Sequence, residues 1–291
     1  MAISSADLLR RCSFPRAGTA VSCAVSGGAD SLALLVLARA ADCDVTAIHV
    51  DHGLRAGSAD DAEVVRATAE RFGARFEART VEVALGPNVE ARARAARYAA
   101  LPPDVLTGHT ADDQAETILL NLVRGAGLDG LRGMPRARRP LIQLRRSETH
   151  ALCDQVGLTP VTDPMNASHA LRRNRVRHEL LPLLDAIACR DVAAVISRQG
   201  DLLTDDAALL DALSEAIDPT DARALCAAPV PLARRAVRAW LRAGSDDEHH
   251  PPDAATVERV LAVARGDAVA TDVGGGRRVT RSRGRLTIVN P

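Results

Sequence analysis

The chain has 291 residues, enough for about two domains, and 47% hydrophobic content marks it as globular. No run approaches the ~18 apolar residues of a membrane helix, and Asp7, Arg10 and Arg11 break up the N-terminal stretch, so membrane and exported classes are excluded and a cytoplasmic protein is expected. Formal charge is zero, yet the chain has no lysine, which excludes catalysis by a lysine side chain and leaves arginine, a bidentate binder of phosphate, as every fixed cation.

The first predicted strand, Val21 to Val25, stops at Ser26-Gly27-Gly28-Ala29-Asp30-Ser31, and a helix from Ser31 to Ala41 follows. Two glycines allow a sharp turn. The amides at the helix start then point outward with the helix dipole behind them, which makes an anion site. Ser26 and Ser31 add hydroxyl donors. Asp30 is a poor phosphate ligand but a good Mg²⁺ ligand, and Mg²⁺ would let a carboxylate sit beside phosphates. The same residues also suit a plain strand-to-helix turn with Asp30 and Ser31 as caps.

The second strand, Val45 to Val50, runs into His49-Val50-Asp51-His52-Gly53-Leu54-Arg55. Alternation puts His49 and Asp51 on one face with His52 at the tip, and Gly53 permits a turn that presents Arg55 to an anion. His49 reads as a core histidine; His52 and Arg55 read as functional. A helix from Ala59 to Phe72, a strand from Phe76 to Val83 and a helix from Val89 to Leu101 come next. The fourth strand, Val105 to Thr107, ends in Gly108-His109-Thr110-Ala111-Asp112-Asp113-Gln114-Ala115-Glu116-Thr117, at the head of a helix from Asp112 to Arg124. Asp112 and Glu116 are four apart and so share a helix face, a site for a cation or an ammonium group. Asp112 or Asp113 equally serves as a helix N-terminal acid. A short strand near Leu141 to Leu144 and a helix from Glu148 to Val156 complete the pattern. Such alternation predicts right-handed crossovers, a parallel sheet in an α/β domain, and ligands beyond the carboxyl ends of the strands, where these motifs fall.

After Pro182 the pattern turns helical: Asp191 to Ile217, Asp221 to Ala227, Leu232 to Arg242 and Ala254 to Arg265. Short strands at Ala268 to Val273, Arg278 to Ser282 and Leu286 to Val289 are joined by glycine turns. A loop from Ser245 to Pro252 leaves His249 and His250 facing solvent. Charge is uneven, with Arg132, Arg136, Arg138, Arg139, Arg145, Arg146, Arg172, Arg173 and Arg175 in one basic stretch suited to nucleic acid or to a solvated surface. Six scattered cysteines with no Cys-x-x-Cys pair argue against a zinc ribbon, an iron-sulfur cluster or a disulfide framework. Aromatic content of 2% argues against a base-stacking RNA-binding sheet.

The loop at 26–31, the strand end at 49–55 and the segment at 108–117 together resemble the N-type ATP pyrophosphatases, the PP-loop superfamily, and within it the short form of the tRNA(Ile)-lysidine synthetase family. Two further stretches agree. Ala93-Arg94-Ala95-Ala96-Arg97-Tyr98 is similar to that family's Ala-Arg-x-x-Arg-Tyr helix, and Asp163, Asn166, Arg173, Asn174, Arg175 and Arg177 are similar to its Asp-x-x-Asn and Arg-Asn-x-x-Arg segment.

The resemblance implies an adenine-nucleotide α-hydrolase-like (Rossmann-like) domain over 1–185 and a smaller, mainly helical tRNA-binding domain over 186–291. It implies a two-step reaction: ATP adenylates O2 of the wobble cytidine in tRNA(Ile) with a CAU anticodon, and L-lysine then displaces AMP. Ser26, Gly27, Gly28, Ala29, Asp30 and Ser31 would bind ATP, and Asp30 would hold Mg²⁺. Asp30, Asp112, Asp113, Glu116 and His52 would be catalytic. Asp112 and Glu116 would take the lysine ammonium, and Arg94 its carboxylate or a phosphate. Arg55, Arg173, Asn174, Arg175 and Arg177 would face tRNA or phosphate. No membrane partner is implied, and a homodimer stays open. A tRNA thiolase of the same superfamily generally needs paired cysteines, an amidotransferase needs a glutaminase module, and a non-catalytic RNA-binding protein would have no use for the four acids.

Overall fold

Four strands lie side by side in the computed structural model, which describes residues 4–51, 53, 58–83, 89–161, 172–243 and 252–290. They are β1 (Ala20–Ala24), β2 (Asp44–Asp51), β3 (Arg75–Thr80) and β4 (Leu106–Thr107), in the order β3-β2-β1-β4, all parallel. The register sets Val21 beside Val45 and Cys23 beside both Ala47 and Leu106, so β1 is central. Helices α1 (Ser5–Leu9), α2 (Ala29–Ala40), α3 (Ser58–Arg71) and α4 (Val89–Ala99) precede or connect the strands, then α5 (Ala111–Val123), α6 (Leu128–Leu131) and α7 (Arg146–Gln155) follow. This is the α/β parallel-sheet class that the alternating pattern predicts.

The core is built around α2. Leu32, Leu34, Leu35 and Leu37 are all fully buried, although they point to different sides of the helix. A helix apolar all round needs cover on every side. Leu141, Leu144, Leu152 and Cys153, from α7 and the turns before it, belong to the same core.

One expectation fails here. Leu141 to Leu144 is not a strand: the Ile142 N–H donates to the Arg139 carbonyl at 3.1 Å and the Leu144 N–H to the Leu141 carbonyl at 2.8 Å, so the run forms successive turns. An apolar run of four reads alike in either state, and here short-range bonds satisfy its backbone. The Leu144 carbonyl instead accepts the Ala111 N–H at 2.8 Å and so supports the start of α5.

Beyond α7 the chain forms α8 (Arg172–Arg175), a π-helical turn (Val176–Leu180), α9 (Leu181–Ala188) and α10 (Val192–Ser214). It divides into two compact units, 1–202 and 203–291. The second contains α11 (Ala222–Ala227), α12 (Val230–Ala243), α13 (Ala254–Arg265) and an antiparallel sheet β5-β6-β7 (Ala270–Gly274, Arg277–Ser282, Arg285–Val289). Its own core joins Val237 and Leu241 of α12 to Val260 and Val263 of α13 and to Val279 and Leu286 of the sheet. Arg283 and Gly284, both with positive φ, make the tight turn between β6 and β7. His249 and His250 lie outside the described residues. Among those residues no helix is long and apolar enough to cross a membrane.

Candidate active site

The loop between β1 and α2 is closed by its own serines. Ser31 Oγ donates to the Gly28 carbonyl at 2.8 Å and accepts the Ser26 N–H at 3.1 Å, and the two hydroxyls are 3.3 Å apart. Gly27 has φ +90°, which a side chain adopts only under strain, and a Cβ there would stand 3.0 Å from Val161 Cγ2. The amides of Gly27, Gly28, Ala29 and Asp30 have no acceptor among the described residues. They sit at the positive end of a twelve-residue helix, and a Cβ at Gly28 would meet nothing nearer than Ser26 Oγ at 3.8 Å. Open space over unpaired amides at a helix start is the physical make-up of an anion cradle.

Gly108, where β4 ends, backs this loop. A Cβ at Gly108 would lie 2.5 Å from the Asp30 carbonyl oxygen and 2.8 Å from its carbon, so a side chain there would push the loop backbone aside. Gly108→Ala is expected to weaken ATP binding at least tenfold and to cost about 1–3 kcal/mol of stability; nucleotide titration and thermal melting of the variant check both.

The acids of the third motif meet arginines. The Thr110 N–H and hydroxyl donate to Asp113 Oδ2 at 2.9 and 3.1 Å, which opens α5. Asp112 is gripped by Arg145, Nε to Oδ2 at 3.0 Å and Nη2 to Oδ1 at 2.9 Å, and accepts the Arg146 N–H at 2.7 Å. Asp113 Oδ1 faces Arg146 Nη2 at 2.9 Å and Arg173 Nη2 at 3.2 Å. Glu116 is fully buried. Its oxygens accept from Arg173 Nε at 2.7 Å, Arg177 Nε at 2.7 Å and Nη2 at 3.1 Å, and Arg146 Nη1 at 3.2 Å. Asp30 Oδ2 stands 3.5 Å from Arg146 Nε, and the Thr149 hydroxyl donates to Oδ1.

Environment separates these carboxylates. Burial pushes Asp30 above the ordinary carboxylate range, with the Thr149 hydrogen bond opposing it and the charge of Asp113 adding to it. Burial also works against Asp113, but Arg146, Arg173 and the Thr110 N–H outweigh it and hold this acid below that range. Asp112 is lowered despite its burial, by Arg145 and the Arg146 N–H. The Arg146 guanidinium is partly desolvated, yet Asp113, Glu116, Asp30 and Asp112 raise its pKa. His109 is pushed down to about 4, chiefly by burial, and is neutral at physiological pH, with Nδ1 2.8 Å from Thr107 Oγ1.

Residues 4–184 match the PP-loop domain and residues 221–287 the TilS substrate binding domain. The chain is 43% identical to a tRNA(Ile)-lysidine synthase of Nocardia farcinica, with 94% of this chain and 93% of that protein covered. Those of Rhodococcus erythropolis (91% and 88% covered) and Mycobacterium tuberculosis strain H37Rv (90% and 88%) are each 39% identical. This chain belongs to the tRNA(Ile)-lysidine synthase family. A U34-tRNA thiolase from Methanococcus maripaludis with its [4Fe-4S] cluster superposes with a TM-score of 0.55 over 69% of this chain and 78% of that one; at 18% identity it shares the fold.

In this member of the tRNA(Ile)-lysidine synthase family, Asp30, Asp112, Asp113, Glu116, Arg173 and Arg177 come together in one cluster. Asn174, beside them in sequence, is buried. Arg175 turns away, exposed, to pair with Glu179 at 3.0 Å. Arg94, on α4, places its guanidinium over the Tyr98 ring, 5.1 Å from the centroid. His49 is buried with Nδ1 2.9 Å from the Val25 carbonyl, as a core histidine would be. His52, Arg55, Asp163 and Asn166 lie outside the described residues. Arg145, Arg146 and Thr149 are the contributors that sequence reasoning passes over, because the basic stretch reads as surface. Their only sequence signal is position, directly after an apolar run. Gln114 is the other surprise: buried, it accepts the Met134 N–H at 2.7 Å and donates to the carbonyls of Arg132 and Met134, so it holds the loop after α6.

Proposed function

We propose that this chain ligates L-lysine to the wobble cytidine of tRNA(Ile) bearing a CAU anticodon, in the cytoplasm, and that residues 186–291 help to hold the tRNA. The observation that carries the reading is one cluster in which a carboxylate at an anion cradle, Asp30, stands against the acids of α5. In the first step cytidine O2 attacks the α-phosphorus of ATP and pyrophosphate leaves. In the second the lysine amine attacks C2, AMP departs, and the amine proton passes to a carboxylate.

The amides of Gly27, Gly28, Ala29 and Asp30 face the departing pyrophosphate, with Ser26 and Ser31 holding their geometry. Donor chemistry fits Mg²⁺ at Asp30. Among the described residues no group of three or more His, Cys, Asp or Glu is disposed to hold a metal, and Mg²⁺ is commonly bound by one or two carboxylates with substrate phosphates completing the shell. Bound there, Mg²⁺ would neutralise charge developing on the phosphates. The α5 face with Asp112, Asp113 and Glu116 receives the lysine ammonium, and Arg94 its carboxylate or a phosphate. His52 stands with the catalytic set, and Arg55, Arg173, Asn174, Arg175 and Arg177 with the tRNA- or phosphate-binding one.

A pyrophosphate-release assay that omits each substrate in turn tests the reading. Release is expected only with ATP and CAU-anticodon tRNA together, and incorporation of labelled lysine only when lysine is added. Release that ignores the tRNA, or label appearing from a sulfur donor in place of lysine, would overturn it.

A further inference from the structure

α7 is pinned before its side chains reach the site. Arg145 holds Asp112 with two nitrogens and the Arg146 N–H adds a third bond to the same carboxylate, which fixes the Arg146 backbone against α5. From there the Arg146 side chain, 21% exposed, touches three acids: Nε faces Asp30 at 3.5 Å, Nη2 faces Asp113 at 2.9 Å and Nη1 faces Glu116 at 3.2 Å. A guanidinium is planar and rigid, so one orientation serves all three. The Asp30 contact is the slack one, at the outer limit of a hydrogen bond, while Thr149 already serves the other Asp30 oxygen.

Asp30, Asp113 and Glu116 supply three negative charges, and Arg146, Arg173 and Arg177 balance them with three positive ones; each of these arginines approaches both Asp113 and Glu116, every pair within 3.7 Å. An incoming ammonium therefore meets acids that are already neutralised and whose oxygens are occupied. A polyanion in the cradle beside Asp30 attracts the Nε edge of Arg146. When the guanidinium turns toward it, two cations remain against two acids, and the oxygens that Arg146 held become acceptors for an ammonium.

We propose that Arg146 is a positioning residue that links the two substrate sites: ATP phosphates at the 26–31 loop draw its guanidinium off Asp113 and Glu116, and the lysine ammonium takes its place. This rests on the function proposed above. Arg173 and Arg177 stay behind to hold Glu116. Linkage of this kind is reciprocal, so ATP tightens lysine and lysine tightens ATP by one factor.

Calorimetric titration of the full chain without tRNA, using L-lysine and the α,β-methylene analogue of ATP, tests it. In the wild type each ligand is expected to tighten the other by at least about fivefold. In Arg146→Gln the linkage falls to about one, and lysine binds without nucleotide as tightly as it binds the nucleotide-loaded wild type. A residue that only props up the fold would instead weaken lysine binding when removed. Arg146→Lys, which keeps a charge but loses the fork, is the second variant if the glutamine form does not fold; its linkage should fall to less than half of the wild-type factor. A wild type that binds both ligands without linkage, a linkage that survives both substitutions, or lysine binding that weakens in both would each overturn the proposal while leaving pyrophosphate release intact. Binding of neither ligand by the wild type would remove the proposed function and this linkage together.

Discussion

Asp30→Ala is expected to abolish ATP-dependent lysine incorporation into tRNA, with a loss of roughly three orders of magnitude or more, equivalent to about 4 kcal/mol of transition-state stabilisation. The fold should survive. Asp30 is a desolvated carboxylate whose contact with Arg146 is slack, so its removal relieves a burial cost and deletes one hydrogen bond from Thr149. What is lost is the only carboxylate in the loop whose amides lack acceptors among the described residues. Steady-state incorporation and a thermal melt of the same preparation separate the two effects. Near-normal turnover would take Asp30 out of the mechanism.

Glu116→Gln should act on both stability and lysine. Its side chain has no solvent exposure and neutralises three guanidinium groups, of which Arg173 and Arg177 approach at 2.7 Å. An amide of the same shape leaves those cations with Asp113 as their shared acid. Breaking one side of a buried ion pair costs roughly 3–5 kcal/mol, which for a unit of this size lowers Tm by on the order of 10 °C. The lysine concentration needed for half-maximal rate should rise at least tenfold, because one of the acids that receives the ammonium has lost its charge. An unchanged melt would mean that the arginines have other counter-charges, and an unchanged lysine dependence would remove Glu116 from lysine binding.

Much of the first unit is legible in its amino acids alone. The alternation of β-branched runs with helical periodicity yields the parallel sheet, and Gly27, with its positive φ, marks the turn by a requirement that holds in any context. Gly108 is legible as part of a motif but not as a packing constraint; only the approach of the Asp30 carbonyl shows why a side chain is excluded there. Gln114 reads as a polar neighbour of the acids and is instead a buried staple. The run at Leu141 to Leu144 reads as a strand because short apolar segments carry no period, yet it forms turns whose last carbonyl supports the start of α5. Arg173 and Arg177 read as surface cations for RNA, and in the free chain they face Glu116.

The sequence by itself determined the type of loop, the order of the motifs along the strand ends and the family to which they belong, since these depend on local backbone rules and on residue identity. Only the tertiary structure decided how the acids are neutralised. Arg146 and Thr149 stand 116 and 119 residues from Asp30 in the chain, and no local rule joins them. They meet because α7 packs on the apolar middle of α2 and brings its polar first turn to the same end of the sheet. Ion pairs follow that packing. A sequence shows which charges exist, and burial and distance decide which of them answer one another.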